Sequence, residues 1–377
     1  MKWRRHAGNN SVGINDLIPI VASERRIISQ MHNGKQEQQL ARLLKGVSRS
    51  FYLTLRVLPK NIREPVGLAY LLARAADTIS DTRFLPTDER LTHLRAFQEQ
   101  LLGEAPKTLD TYVAAELTDT QSSLAERKLL HSLPRVLSML EDLNPADLRL
   151  VRSVVLALTY GMEMDLTGFP SEDSGQVVAL RDQAALDSYT YQIAGCVGEF
   201  WTEITVAYTQ RLAHWDADAM AKDGVRFGKA LQMTNVLRDV PRDLRIGRCY
   251  LPESDLVGVG LTPDDLLDPA VAVKARPALV NNMGIALGHY QAAQRYLLAI
   301  PRRCVRLRLA VTWPLVIGLA TLAKLARNDG WLELQKPTKV SRLWVYRAIA
   351  MSVLFVLSNT LLTAWTSGLR NRVEKGL

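Results

Sequence analysis

The stretch Asn235-Val-Leu-Arg-Asp239-Val-Pro-Arg-Asp243 decides how the rest of the chain is organised. Its amide and two carboxylates stand four residues apart, and in a helix this spacing points the three side chains the same way, with neighbouring Cβ atoms about 6 Å apart. Arg238 lies beside them, and oxygen ligands next to an arginine suit a hard cation that bridges to phosphate. Pro241 should bend or end the helix, so the spacing argument applies to Asn235 and Asp239 and weakens for Asp243.

A second acidic pair, Asp77 and Asp81, has the same spacing and follows the apolar run 66–76. Tyr70 and Arg74 fall on the same helical stripe, while the rest of this helix is apolar and therefore predicted to be buried. Either acidic pair alone is common on solvated helix faces. Because carboxylates on a buried helix are costly unless they are paired or bind metal, the two acidic helices are predicted to face each other across a bundle core and to hold Mg²⁺.

Two further polar stretches allow more than one interpretation. One, which precedes the first acidic helix, reads Ser48-Arg49-Ser50-Phe51. Two hydroxyls around an arginine can bind phosphate, but these residues alone favour a helix cap followed by core aromatics. The other holds Glu163 and Asp165, which are two residues apart and cannot share one helix face. At most one of them points at a site, and the favoured interpretation of both is a satisfied or exposed carboxylate.

A predicted helix over residues 182–208 carries a patch of small residues. The patch consists of Ala194, Gly195 and Gly198, and Tyr189 lies on the same general side. Glycine inside a helix costs about 1 kcal/mol relative to alanine. The patch therefore indicates the close approach of a neighbouring helix or of a bulky apolar ligand, and both remain open.

The periodicity of the chain is 3.6 nearly throughout, which predicts an all-α protein. The sequence shows no linker, repeat or composition break.

The net charge of +9 favours anionic partners such as diphosphates or acidic lipid surfaces, and the scattered basic residues and lack of a recognition motif argue against nucleic acid. Three cysteines without a CxxC spacing argue against a disulfide framework, the scattered histidines argue against zinc, and the N-terminus lacks the apolar region of a signal peptide.

The segment from Ala348 to Thr366 contains no charged residue. As one helix it would span about 28 Å, close to the thickness of a bilayer. Arg342 and Arg347 precede it, which favours a tail anchor. A polar stripe through Asn359 would instead suit a helix that lies on the membrane or packs on the body. The apolar run 309–323 is shorter and is predicted to be a buried core helix.

The chain resembles the squalene/phytoene synthase family over about residues 40–345. Four motifs in the family's order carry the resemblance, namely Ser48-Arg49-Ser50-Phe51, the run from Tyr70 to Asp81, the helix from Tyr189 to Gly198, and the run from Gln232 to Asp243. The resemblance implies a single-domain class I isoprenoid synthase helical bundle with a central apolar cavity. It divides the chain into an N-terminal polar segment (1–35), a synthase domain (36–345) and an apolar C-terminal helix (346–377) that anchors the enzyme to a membrane, with the active domain on the cytoplasmic side.

The resemblance also implies an activity and a set of site residues. The enzyme would join two farnesyl diphosphates head to head through presqualene diphosphate and reduce the product to squalene with NADPH. The catalytic residues would be Tyr189, Tyr70, Arg74, Asp77 and Asp239. The substrate would contact Ser48, Arg49, Ser50, Phe51, Arg74, Gln232, Asn235 and Arg238. Mg²⁺ would be bound by Asp77, Asp81, Asn235, Asp239 and Asp243.

The choice within the family depends on the C-terminal part of the chain. Residues 313–323, then Lys339-Val-Ser-Arg342 and the apolar tail, resemble the reductive squalene synthases, and Lys339 and Arg342 would contact the NADPH phosphates. No dinucleotide-binding fingerprint is present, so NADPH would need a helical cavity. Two alternatives remain, a phytoene or dehydrosqualene synthase without hydride transfer, and a non-catalytic membrane-associated family member.

Overall fold

The computed structural model describes residues 40–47, 51–82, 85–104, 124–172 and 174–377, and these form an all-α bundle, as predicted. The N-terminal segment 1–35 and the motif Ser48-Arg49-Ser50 lie outside the described residues. Residues 40–47 are helical. The helices of the first half are α1 (Phe51–Val57), α2 (Lys60–Ser80), α3 (Thr87–Leu102), α4 (Leu124–His131), α5 (Leu133–Glu141) and α6 (Pro145–Gly168).

The second half is also helical apart from one short strand pair. Its helices are α7 (Gln183–Thr190), a π-helical turn (Tyr191–Gly195), α8 (Cys196–Tyr208), α9 (Ala217–Asp243), α10 (Glu253–Val257), α11 (Ala272–Ala299), α12 (Val305–Leu325), α13 (Arg342–Phe355) and α14 (Asn359–Glu374). Strands β1 (Val178–Ala179) and β2 (Arg248–Cys249) pair in parallel, with Val178 opposite Arg248. This pairing fixes the loop that follows α9.

Several helix starts follow directly from local sequence. The side chain of Asn144 accepts hydrogen bonds from the first amides of α6, and Pro145 occupies the first turn, where its missing N–H is not needed. Asp182 and Asp216 cap α7 and α9 in the same way. The two helices that bear the acidic residues, α2 and α9, are thus held in a bundle in which α2 packs on α6 and α9 packs on α8 and α11.

Pro241 does not end α9. The helix continues to Asp243, and a 3₁₀ turn follows at Leu244–Ile246. Of the two expected effects of the proline, a bend or an end of the helix, the end does not occur. Because this proline lies in the last turn, it costs one hydrogen bond near an end that is already incompletely paired. Asn235, Asp239 and Asp243 consequently all belong to one helix.

The small-residue patch serves the packing of helices. A Cβ atom added at Gly198 would lie 1.9 Å from the carbonyl oxygen of Gly224, and one added at Gly228 would lie 2.0 Å from that of Ala194. Such contacts allow the backbones of α8 and the π turn to touch the backbone of α9. Of the two interpretations of the patch, the structure supports the neighbouring helix.

The apolar C-terminal segment is helical, but it forms two helices instead of one. α13 ends at Phe355, and Ser358 caps α14 by accepting a hydrogen bond from the Leu361 amide. The expected domain boundary after residue 345 falls within α13. Among the described helices, only α12 is long and apolar enough to cross a membrane by length and composition, and 72% of its apolar window is buried in the bundle. The prediction of a core helix at 309–323 is therefore confirmed.

Candidate active site

A cavity of about 570 Å³ lies between α2, α6, the π turn and α9. The first acidic helix contributes Tyr70, Ala73, Arg74, Asp77, Ser80 and Asp81, and α9 contributes Gln232 and Asn235. Apolar side chains of α6 and the π turn complete the wall, namely Leu158, Met162, Leu166 and Ile193. The arrangement brings polar groups from two distant parts of the sequence to one cavity that has an apolar wall on its other side.

The carboxylate of Asp77 lies in the wall of this cavity, with 38% of its side chain exposed. Arg74 donates hydrogen bonds to Asp77 and to Glu126, and so ties α2 to α4. Burial and the nearby charge of Asp81 raise the pKa of Asp77 to about 6, although Arg74 favours the charged form. Among the described residues, this corner of the cavity therefore brings together the negative charges of Asp77, Asp81 and Glu126 around the positive charge of Arg74.

The acidic row on α9 shows the same imbalance. The Nε of Arg238 donates to Oδ1 of Asp239 at 2.8 Å, which neutralises one of the two carboxylates. Burial and the charge of Asp239 raise the pKa of Asp243 to about 7. Asn235 is exposed, and its amide donates to Oε1 of Gln232 at 3.3 Å. Added positive charge would stabilise this row.

Asp165 and Arg248 link the two acidic rows. The charges of Asp81 and Asp243 both act on this pair, so each row has a carboxylate close enough to the pair to interact with it. Oδ2 of Asp165 accepts from the Tyr250 hydroxyl at 3.0 Å and lies 3.5 Å from Nη1 of Arg248. Its Oδ1 is buried and has no hydrogen-bond partner among the described residues.

The residues around this centre fit a hard divalent cation. Within the described residues, no three acidic, histidine or cysteine side chains come close enough together to form a preassembled metal site. Asp77, Asp81 and Asp165 line the cavity, whereas Asp239 and Asp243 do not. Carboxylates spread in this way suit ions held partly by protein oxygens and partly by a phosphate group. The unpaired Oδ1 of Asp165 and the raised pKa values of Asp77 and Asp243 are the features that a bound cation would relieve.

Tyr189 and Tyr70 both reach the cavity. The Tyr189 hydroxyl donates to Oδ2 of Asp165 at 3.3 Å, and its ring stacks on Tyr250 with centroids 4.7 Å apart. Burial and the charge of Asp165 raise the pKa of Tyr189 well above its ordinary value, so the hydroxyl stays protonated at neutral pH. The Tyr70 hydroxyl donates at 3.4 Å to the carbonyl of Val47.

Sequence reasoning missed Asp165, Arg248 and Tyr250. The interpretation of Asp165 as a satisfied or exposed carboxylate was wrong, because one of its oxygens is unpaired and it lines the cavity. Glu163, in contrast, pairs with Arg95 at 2.7 Å, away from the cavity. The sequence signal for two of them was the stretch Gly247-Arg-Cys-Tyr-Leu-Pro252, which places an arginine and a tyrosine in the turn directly after the acidic helix.

The two predicted NADPH residues do not line this cavity. The Lys339 carbonyl accepts a hydrogen bond from Lys324 at 2.7 Å, and Arg342 begins α13. Lys324 lines a second cavity of about 510 Å³, which has a basic wall made also of Arg327, Lys336 and Arg372. The substrate-binding motif at residues 48–50 lies outside the described residues, and Phe51 begins α1.

Comparison with known proteins assigns the chain to a family. The model of the squalene/phytoene synthase family matches residues 44–344. A squalene synthase of Yarrowia lipolytica is 28% identical over 317 residues, which cover 81% of this chain and 67% of the relative. A presqualene diphosphate synthase of Rhodopseudomonas palustris is 28% identical over 269 residues, which cover 69% of this chain and 78% of the relative.

A solved structure agrees in fold. The complex of TcSQS with the ligand E5700 matches with a TM-score of 0.68 at 23% identity, covering 90% of this chain and 97% of the other. The chain therefore belongs to the squalene/phytoene synthase family, and within it to the squalene synthase-like prenyltransferases.

Proposed function

We propose that this chain joins two farnesyl diphosphates head to head to form presqualene diphosphate, and that it then reduces this product to squalene with NADPH. The observation that carries the first step is a cavity with one apolar wall that Asp77 and Asp81 of the first row and Asn235 of the second row all line. The charges of Asp81 and Asp243 also both act on Asp165 in the same cavity wall. A cavity of about 570 Å³ lies within the range of about 300–1,000 Å³ that is usual for small-molecule sites.

The polar end of the cavity suits departure of a diphosphate. Mg²⁺ held by Asp77, Asp81, Asn235, Asp239 and Asp243 would neutralise the charge that develops on the leaving group. Arg74 and Arg238 hold one carboxylate of each row in place and keep further N–H groups for phosphate oxygens. Gln232 and Asn235 offer amide donors at the same rim.

The apolar wall suits the allylic cation that remains. Leu158, Met162, Leu166 and Ile193 exclude water from the prenyl chain, and water would otherwise trap the cation as an alcohol. Cyclopropyl formation must also release a proton from carbon. The neutral Tyr189 hydroxyl can accept that proton as it passes its own to Asp165, whose pKa of about 6 leaves it mainly ionised at neutral pH.

Product analysis tests the proposal as a whole. Purified protein is incubated with farnesyl diphosphate and Mg²⁺, with and without NADPH, and the products are identified by mass spectrometry. We expect presqualene diphosphate without NADPH and squalene with it. A desaturated hydrocarbon formed without NADPH would identify a dehydrosqualene-type synthase. Formation of phytoene from the longer prenyl diphosphate would identify a phytoene synthase, and the absence of any product would indicate a non-catalytic family member.

A second candidate is an enzyme that stops at presqualene diphosphate. It is favoured by the position of Lys339 and Arg342 outside the aspartate-lined cavity, and a relative named for that activity matches the chain. The same incubation separates the candidates, because such an enzyme would yield presqualene diphosphate whether or not NADPH is added.

Replacing Lys339 and Arg342 together by alanine tests the NADPH proposal. We expect presqualene diphosphate formation to be unchanged and the reductive step to slow by at least about tenfold, since lost phosphate contacts of ~1.4 kcal/mol change affinity by that factor. Single-turnover assays of each half-reaction are the measurement. Arg211→Ala, another exposed cation, is the control, and an equal fall in both halves would contradict the assignment.

Replacing Tyr189 by phenylalanine should lower the rate of presqualene diphosphate formation about 10²-fold or more, because positioned proton transfer contributes at least that factor. Substrate affinity should change little. Tyr250→Phe is the matched control, since Tyr250 also donates to Asp165 but does not line the cavity. If both variants lost the same fraction of this rate, the two tyrosines would serve to position Asp165, and Tyr189 would not transfer the proton.

We also propose that the protein works at a membrane, with its active domain on the cytoplasmic side. The apolar C-terminal segment and the net charge of +9 support this proposal.

A further inference from the structure

The outward face of the C-terminal helix pair is apolar. Six large apolar side chains of this pair and of the turn between its helices are 44% to 75% exposed, namely Leu343, Tyr346, Val353, Leu354, Leu357 and Leu361. On α13, Tyr346 and Leu354 follow Leu343 by three and eleven residues, which places them in one stripe. We call these six side chains the hairpin face. Contiguous exposed apolar surface of this extent marks an interaction site in a soluble domain.

The polar residues of the same segment point the other way. Ser352 is fully buried and accepts from Nε1 of Trp313 on α12 at 2.8 Å. Oδ1 of Asn359 accepts from the buried Arg308 at 2.8 Å, and Gln294 on α11 donates to Oγ1 of Thr366 at 2.6 Å. These bonds fix α13 and α14 on the bundle in one orientation, so the hairpin face cannot turn inward.

The segment that bears the hairpin face and the α12 segment beneath it are basic. The sequence contains no Asp or Glu from Leu334 to Val373 or from Pro301 to Asn328. Arg342 and Arg347 are exposed on α13 beside the stripe. A groove of about 350 Å³ adjoins this region at Trp313, and its other walls are Leu53, Val57, Arg56 and Arg306.

We propose that the hairpin face lies in the interfacial layer of an anionic membrane, with its apolar side chains among the acyl chains and its arginines on lipid phosphates, and that no helix of the pair crosses the bilayer. An apolar stripe with cations at its side is the pattern of helices that lie in the membrane plane. A second copy of this chain fits less well, because a twofold contact would set arginines against arginines. The inference specifies the proposed membrane association and does not depend on the proposed condensation.

Vesicle binding of the full chain tests the inference. Vesicles of phosphatidylcholine alone are compared with vesicles in which half of the lipid is phosphatidylglycerol, and bound protein is measured by flotation. We expect binding to the anionic vesicles that falls with salt. The double variant Leu354→Gln/Leu357→Gln should bind about tenfold less, as expected when apolar insertion is lost, and Arg347→Gln should weaken the preference for anionic lipid.

Val273→Gln is the matched control. Val273 is 82% exposed on α11, outside the hairpin face, so its replacement should leave vesicle binding unchanged. Thermal melting and turnover of farnesyl diphosphate without vesicles should be the same for all variants, and this separates failure of the inference from failure of the proposed activity. Absent binding of the unaltered chain, or equal binding of the leucine variant, would overturn the inference, as would a dimer that the leucine variant dissociates.

Thiol labelling tests whether the C-terminal helix pair lies on the membrane or crosses it. The cysteines are all buried, so a single exposed thiol introduced by Lys375→Cys reports on the end of α14. On sealed vesicles this thiol should remain open to an impermeant maleimide. Protection of the thiol would mean that the chain crosses the bilayer, and the inference would then be wrong.

Discussion

Replacing Asp77 or Asp239 by asparagine is expected to reduce presqualene diphosphate formation by about 10³-fold or more, as for the loss of a group that stabilises charge directly at the reacting centre. Each substitution keeps the shape of the side chain and removes one charge from an acidic row. A cation bound between the rows would then lose one anionic ligand. The rate is measured at saturating Mg²⁺ and again at raised Mg²⁺, which should restore only part of the loss.

The matched control is Asp223→Asn, on the same helix as Asp239. Asp223 pairs with Arg295 at 2.7 Å. It precedes Asp239 by sixteen residues, about 24 Å along the helix, so its replacement should leave the rate nearly unchanged. The melting temperatures of the Asp77 and Asp239 variants should stay close to that of the unaltered protein. At Asp77 the substitution removes a negative charge that burial and the charge of Asp81 disfavour, so the fold should not be weakened. A folded Asp77→Asn protein with full turnover would refute the metal role.

Replacing Gly228 by alanine is expected to lower the free energy of unfolding by about 3 kcal/mol or more, at or above the upper end of the usual cost of overpacking. The added Cβ would lie 2.0 Å from the carbonyl oxygen of Ala194, and backbone cannot move aside as a flexible side chain can. α9 would shift away from the π turn. Denaturant unfolding measures the loss, and activity should fall as well because both elements line the cavity.

Gly284→Ala provides the comparison for this variant. Gly284 lies inside α11, and an added Cβ there would meet nothing within 4 Å. The change should therefore stabilise the protein by about 1 kcal/mol, because alanine has the higher helix propensity. If Gly228→Ala were equally harmless, the close approach of the two backbones would not be a requirement of the fold.

The sequence predicted the acidic rows because their geometry is local. The spacing of Asp77 and Asp81 alone places them on one face of α2, and the apolar residues around them predict burial. The bundle fold follows from the same periodicity. The proximity of the two rows could be inferred only from their chemistry, and the structure supports it through Asp165, on which the charges of both rows act.

The contacts that sequence could not predict join residues from different elements. Asp165 on α6 meets Tyr189 on α7 and Tyr250 after β2, and no spacing along the chain connects the three. The C-terminal segment shows the same limit. Its composition predicted helix, but the direction of its polar residues depends on Trp313 and Arg308, which lie on α12.

The buried guanidinium of Arg308 makes the last helices inseparable from the rest of the molecule. Its Nη1 donates to the carbonyl of Ile300 at 2.5 Å, and its Nη2 donates to Asn359. A chain shortened before Arg342, as one would design to discard a membrane tail, would leave this cation facing solvent with half of its partners gone and would uncover Trp313. Truncation to gain solubility would thus expose buried polar and aromatic groups of the bundle. Purification of the full chain in detergent or lipid is therefore the better choice.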